Sequence, residues 1–332
     1  MKHNPLISIC IPTYNNAACL RECLENIVVQ VRPYNIPIYV SDNASSDNTL
    51  QVLHTFQKEY PYMHFRRNSR NLGLNQNTAD AVQMASSQYV WVFSNRRRLL
   101  PNAVSKVSNL LAKYKPDLLL LNNDSTQMSK TPVSAKRFKS LRDVFLQSVS
   151  SVGTYGLQVL PAKAWKSEYL KKYLEDERYT GCILYCTFDY LASLPIINVI
   201  SWEEPLVSAT QEWDSWWANK HFEMWTNVRN SVNSLPKLAW EDKRLMLRSW
   251  ARTGYFSIRT LSLLRAKRLY NEKIFNLYME DFLEYSNVPL SIVISKMPIW
   301  FVRLCSALYS VGRGSLRSFI PSRYAMNPLS AR

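Results

Sequence analysis

The 332-residue chain is 47% apolar and 12% aromatic, which excludes an intrinsically disordered protein, and only seven glycines exclude a loop-dominated or low-complexity one. Forty-one Lys and Arg against 25 Asp and Glu give a net charge of +16. That balance favours polyanionic partners: phosphate-bearing substrates, an anionic membrane face or nucleic acid.

The first half alternates short apolar runs with amphipathic ones. Leu6 to Ile11 is a β-rich apolar run and predicts a buried strand, with no apolar signal core ahead of it. Leu20, Cys23, Leu24, Ile27 and Val28 recur at helical spacing within 16–30. Ile36 to Val40 predicts a second strand and 49–59 a second helix, with Asp47 as the expected N-cap. His64 to Arg66 suggests a third strand, 75–85 a third helix, and Tyr89 to Phe93 a fourth strand. A helix over 101–114 and a strand over 117–121 follow. Such alternation implies an α/β fold with a mostly parallel sheet flanked by helices, and ligands in such sheets bind beyond the carboxyl ends of the strands. Four polar loops lie there: 12–16, 41–47, 68–77 and 94–98.

The remainder is less regular. Residues 124–150 predict a mobile loop and then a helix, and 151–210 mixed strands and turns. A helical, basic C-terminal region is expected over 211–332, set apart from a first domain over 1–210. Trp213, Trp216, Trp217, Phe222 and Trp225 cluster there, as a packed group or as a surface for a sugar face or an interface. Val288 to Tyr309 approaches membrane-spanning length, but Lys296, Arg303, Pro289 and Pro298 interrupt it. An interfacial helix on anionic lipid and an ordinary buried helix both fit. The CxxxC pairs Cys19–Cys23 and Cys182–Cys186 lie in apolar runs and read as buried thiols rather than a zinc site.

The order Ile11-Pro12-Thr13-Tyr14-Asn15, then Ser41-Asp42-Asn43-Ala44-Ser45-Ser46-Asp47, then Arg70-Asn71-Leu72-Gly73, then Trp91-Val92-Phe93-Ser94-Asn95 resembles family 2 glycosyltransferases, inverting enzymes of the GT-A fold. Overall length and the tail beyond Tyr179 are similar to bacterial O-antigen transferases of the abequosyltransferase type. The resemblance implies a nucleotide-diphosphate sugar as donor and a lipid-linked oligosaccharide as acceptor. Cell-surface polysaccharide synthesis is the implied setting, on the cytoplasmic face of the cell membrane. Asp42 is then the acceptor for the nucleotide base, Pro12 and Tyr14 the wall beside base and ribose, and Arg70, Asn71, Gly73 and Asn95 further donor-site residues.

The family carries an acidic pair after the fourth strand, which binds Mg²⁺ or Mn²⁺. This chain has Ser94-Asn95-Arg96-Arg97-Arg98, and arginine is no ligand for such ions, so no metal ligands are assigned. Three readings stand: Arg96 or Arg97 replaces the metal on the diphosphate, the chain is an inactive nucleotide- or saccharide-binding relative, or the arginines face solvent. An inverting transferase also needs a general base. Asp176, within Glu175-Asp176-Glu177, is the implied one, with Asp189 next. The net charge alone suggests nucleic acid, but no recognition motif accompanies it, so no nucleic-acid partner is expected.

Overall fold

A computed structural model describes residues 5–123, 135–148, 155–165, 168–179, 183–208, 220–235, 238–251 and 255–305. The chain divides into two compact units, Met1–Gln211 with Thr226–Lys243, and Glu212–Trp225 with Arg244–Arg332.

In the first unit, eight strands form one sheet among the described residues. They are β1 (Ile7–Thr13), β2 (Ile38–Asp42), β3 (Met63–Arg67), β4 (Tyr89–Val92), β5 (Leu118–Asn123), β6 (Ala135–Phe138), β7 (Gln158–Pro161) and β8 (Val199–Val207). The order is β3-β2-β1-β4-β7-β5-β8-β6. The pairs β1–β2, β2–β3, β1–β4 and β5–β8 are parallel. β7 is antiparallel to both its neighbours, and β6 is antiparallel to β8. Every residue of β1, β2 and β4 is buried, the expected state of strands covered on both faces.

The covering helices are α1 (Ala17–Val31), α2 (Thr49–Glu59), α3 (Gly73–Gln83), α4 (Ala103–Tyr114), α5 (Leu141–Ser148), α6 (Ala162–Trp165), α7 (Tyr169–Glu175) and α8 (Cys186–Ser193). α1 buries Leu20, Cys23, Leu24, Ile27, Val28 and Val31, the helical stripe legible in the sequence. It packs with α2 and α4, whereas α3 packs with α6 and α7, giving two helical layers. Two helices, α9 (His221–Asn233) and α10 (Trp240–Trp250), run across the division between the units.

The second unit continues with α11 (Ile258–Ala266), α12 (Glu272–Leu277), α13 (Met279–Tyr285), α14 (Val288–Lys296) and α15 (Ile299–Cys305). Its centre is aromatic: Trp225 lies edge-on to Phe256 at 4.8 Å, and Phe282 contacts Phe256, Tyr270 and Phe275. Phe222 and Trp225 therefore belong to a packed core, while Trp213, Trp216 and Trp217 lie outside the described residues. No single helix is long and apolar enough to cross a membrane among those described. Cys10, Cys23 and Cys186 are buried, and burial pushes the Cys23 thiol up to about 12. Cys182 lies outside the described residues.

Candidate active site

Strand order reverses at β1: the chain adds β2 and β3 on one side, then crosses to place β4 on the other. A crevice opens outside the carboxyl ends of strands at such a switch point. Thr13 ends β1 opposite Asp42, which ends β2. The four polar loops therefore converge on this edge.

Asparagines stitch them together. Asn95 donates from Nδ2 to Thr13 Oγ1 at 2.9 Å, and Asn16 donates to Asn95 Oδ1 at 3.5 Å. Asn77, on α3, donates to the Thr13 carbonyl at 3.2 Å. Asn43 is buried and fully engaged: its Nδ2 reaches Asn71 Oδ1 at 2.7 Å and the Gly73 carbonyl at 3.2 Å. Its Oδ1 accepts from the Leu72 N–H at 2.9 Å and from Asn68 Nδ2 at 3.2 Å. Gly73 sits at φ +82° with space where a Cβ would stand, so backbone geometry rather than crowding calls for glycine. Asn71 and Arg70 are exposed beside it.

Asp42 is wholly buried. Its Oδ1 accepts from the Ser45 N–H at 3.1 Å. Arg67 Nε faces Oδ2 at 3.4 Å, yet Oδ2 accepts no hydrogen bond. Tyr14 is 46% exposed at the turn after β1, and Pro12 is buried within the strand.

Asp47 serves two helices. Oδ1 accepts from the Thr49 N–H at 3.1 Å and from the Thr49 hydroxyl at 2.6 Å, while Oδ2 accepts from the Ala17 N–H at 2.9 Å. Asn48 occupies the N-cap position of α2, so Asp47 acts from one residue further out. Burial alone would raise its carboxyl; the bonds from Thr49 and Ala17 outweigh this and hold it below the ordinary value.

The three consecutive arginines have three different environments. Residues 94–97 form a turn closed by Arg97 N–H to the Ser94 carbonyl at 3.1 Å. Arg97 is buried and donates to the Ser208 carbonyl at 2.9 Å. Its chain packs on Gly156, where a Cβ would come within 3.1 Å of Arg97 Cδ. Arg98 pairs with Glu22 and donates to the carbonyls of Asn95 and Arg97. Arg96, at the corner of the turn, is exposed. A divalent cation does not fit this turn, which offers an amide and guanidinium groups where carboxylates would be needed. Among the described residues no group of three His, Cys, Asp or Glu side chains is placed to hold a metal.

Asp176 follows α7 and is held by Arg178: Nε lies 3.0 Å from both carboxylate oxygens and an Nη 2.6 Å from Oδ2. The Arg178 guanidinium and main-chain N–H keep the Asp176 carboxyl below its ordinary value. Asp189 is differently placed, buried on α8 with Lys172 Nζ at 2.7 Å and the Tyr173 hydroxyl donating at 2.7 Å. That arrangement ties α7 to α8. Asn75, which nothing in the sequence singles out, links the acidic segment to α3. Its Nδ2 donates to the carbonyls of Tyr173 at 2.5 Å and Tyr179 at 2.9 Å, and its Oδ1 accepts from the Ile183 N–H at 3.3 Å. Bonding ties Asn43, Asn75 and Arg67 to the candidate site; for the two asparagines the one sequence signal is the density of asparagine in the loops, and Arg67 has none.

The profile of Glycosyl transferase family 2 matches residues 8–174. The chain is 34% identical over 123 residues to abequosyltransferase RfbV of Salmonella typhimurium, covering 36% of this chain and 37% of that protein. It is 29% identical over 102 residues to a GalNAc(5)-diNAcBac-PP-undecaprenol beta-1,3-glucosyltransferase of Campylobacter jejuni, covering 30% and 33%. The chain thus spans about a third of the length of these curated relatives. Among solved structures, S. aureus TarS 1–349 in complex with UDP-GlcNAc superposes with a TM-score of 0.59 at 15% identity, over 88% of this chain and 90% of that one. The mannosyltransferase PcManGT of Pyrobaculum calidifontis gives 0.56 at 13%, over 88% and 79%. These likenesses show the GT-A fold, with a helical C-terminal region. The chain belongs to glycosyl transferase family 2.

Proposed function

We propose that the chain transfers a sugar from a nucleoside-diphosphate donor to a hydroxyl of a lipid-linked saccharide, with inversion, in cell-surface polysaccharide synthesis at the cytoplasmic face of the membrane. One observation carries the donor side: a wholly buried carboxylate, Asp42, stands at the carboxyl end of β2 with one oxygen that has the Arg67 guanidinium at 3.4 Å but accepts no hydrogen bond. A nucleobase N–H is the donor that oxygen lacks, and unsatisfied buried acceptors are costly enough to call for one. Tyr14 offers an exposed ring beside it, and the Asn71–Gly73 loop closes the same edge.

The reaction then divides between two side chains, Asp176 and Arg96. Asp176 takes the proton of the acceptor hydroxyl. The acceptor oxygen bonds to the anomeric carbon from the face opposite the nucleoside diphosphate. The anomeric C–O bond breaks, and its electron pair leaves on the diphosphate, where the Arg96 guanidinium neutralises it by charge-assisted hydrogen bonds. Arg96 is assigned this role rather than Arg97 because Arg97 is buried and spent on Ser208. The Asn75 clamp supports Asp176 in its role, because it ties the acidic segment to the helix start that carries the donor loop.

A thermal-shift screen of nucleoside diphosphates tests the cradle, since a bound ligand raises the melting temperature by mass action. Asp42→Asn should weaken the best ligand by about 10- to 100-fold, the loss of one charge-assisted bond. No shift with any nucleotide, or an unaltered shift in Asp42→Asn, rejects the cradle. Transfer that persists in excess EDTA supports arginine in place of metal. Nucleotide binding without turnover identifies an inactive binding protein instead.

A further inference from the structure

In the second unit α14 buries Ile294 together with two serines, while two of its aliphatic side chains face outward. α14 turns Ser291 and Ser295 inward, at 1% and 2% exposure, and turns Leu290 and Val293 outward, at 41% and 47%. The serines are buried without cost because their hydroxyls bond locally: Ser291 Oγ donates to the Asn287 carbonyl at 2.9 Å and Ser295 Oγ to the Ile292 carbonyl at 2.7 Å. Two small residues four apart also let α14 seat closely on α11 and α12.

Exposed apolar side chains recur past the bend. α15 turns from α14 by 115° and presents Trp300, Phe301 and Leu304 at 67%, 40% and 49% exposure. α14 has nine residues and α15 seven, each far short of the ~20 residues that span a bilayer. A bent pair of this length can lie along an interface and not across it.

Charge says what covers the face. Residues 244–332 hold 14 Lys and Arg against four Asp and Glu, so ten of the sixteen net charges of the chain fall in this stretch. No acidic residue follows Tyr285. Lys296 closes α14 and pairs with Glu272 at 2.9 Å, and Arg303 on α15 is exposed and donates to the Ala266 carbonyl at 3.1 Å. Basic residues bordering an exposed aromatic and aliphatic surface match lipid headgroups over acyl chains.

We infer that the face formed by α14 and α15 docks this chain onto an anionic lipid bilayer surface. The inference rests on the membrane-side setting proposed above and assigns that setting to specific residues. Trp300 and Phe301 enter the headgroup boundary, Leu290, Val293 and Leu304 extend the apolar contact, and the basic residues meet the phosphates.

Co-sedimentation of the full chain with vesicles tests it. Wild type is expected to bind phosphatidylcholine vesicles containing phosphatidylglycerol, to bind pure phosphatidylcholine more weakly, and to release as salt is raised. The triple variant Trp300→Ser, Phe301→Ser, Leu304→Ser should partition at least about tenfold less. All three side chains are exposed, so the variant should keep its melting temperature and the nucleoside-diphosphate shift of wild type. Those controls separate the two readings: nucleotide binding without vesicle binding overturns only the docking face, and vesicle binding without nucleotide binding overturns only the transferase reading. Equal binding by the triple variant overturns the assignment of the face. A concentration-dependent dimer that resists vesicles and disappears in the triple variant also overturns it, because a second copy then covers the face.

Discussion

Asn75 and Tyr179 are 104 positions apart in the chain, and one hydrogen bond of 2.9 Å, from Asn75 Nδ2 to the Tyr179 carbonyl, brings them together. Because the same amide reaches Tyr173, the bond fixes both ends of the turn that carries Asp176. Asn75→Ala should therefore act on turnover more than on donor binding. A fall in kcat of about 10- to 100-fold is expected, as for a misplaced reacting group, with donor KM little changed. Asn75→Asp retains an acceptor for Ile183 but offers the carbonyls no donor, so it should not restore kcat. Steady-state kinetics decide; a change confined to donor KM contradicts the positioning role.

The arginine turn makes a second prediction. Arg96→Ala should lower kcat/KM by about 10²-fold, as for a lost donor to a developing oxyanion, with a smaller change in melting temperature than Arg97→Ala. Arg97→Ala should instead lower the melting temperature, since it vacates a buried position against Gly156 and Phe93. Calorimetry and kinetics on the pair distinguish chemistry from packing.

With Asp176 as the proposed base, Arg178 should set the acid limb of the rate profile. As a base, Asp176 works only when ionised, so activity is present above its pKa and lost as pH falls through it. Arg178 lowers that pKa, and Arg178→Ala removes the cause. The acid limb of kcat/KM should move to higher pH in Arg178→Ala. An unmoved limb excludes Asp176 as the titrating base.

His221 predicts a pH dependence of stability in the second unit. It is buried with Nε2 2.9 Å from the Tyr255 carbonyl, and burial lowers its pKa to about 4 against 6.5 in an open chain. Between those values the unfolded chain binds the proton and the folded one does not. The stability is therefore complete above about pH 6.5 and is lost as pH falls towards 4, by up to about 3 kcal/mol. Urea unfolding followed by tryptophan fluorescence at pH 7 and pH 5 should show the loss, and His221→Phe should reduce it.

Local pattern carried most of the first half. The stripe Leu20 to Val28 and the runs before Asp42 and Phe93 each need one face or two buried faces, and the structure buries them so. The antiparallel insertion of β7 between β4 and β5 was not legible, because a four-residue strand such as Gln158–Pro161 carries no mark of its distant partners. The arginines show the same limit at the site. Arg96, Arg97 and Arg98 are equal as letters, and only tertiary packing separates an exposed one, a buried one and one paired with Glu22. Asp176 and Arg178 are two apart and could be paired by eye, whereas Asn75 and Tyr179 could not.

Asp47 joins the starts of α1 and α2 through one carboxylate. The consequence is mechanical. The two loops leaving β1 and β2 are braced to each other at their far ends as well as through the sheet, so they move as a single bracket. On the proposed donor site, a ligand entering beside Tyr14 and Asp42 would meet walls already set at their spacing, and little of its binding free energy would be consumed in ordering them.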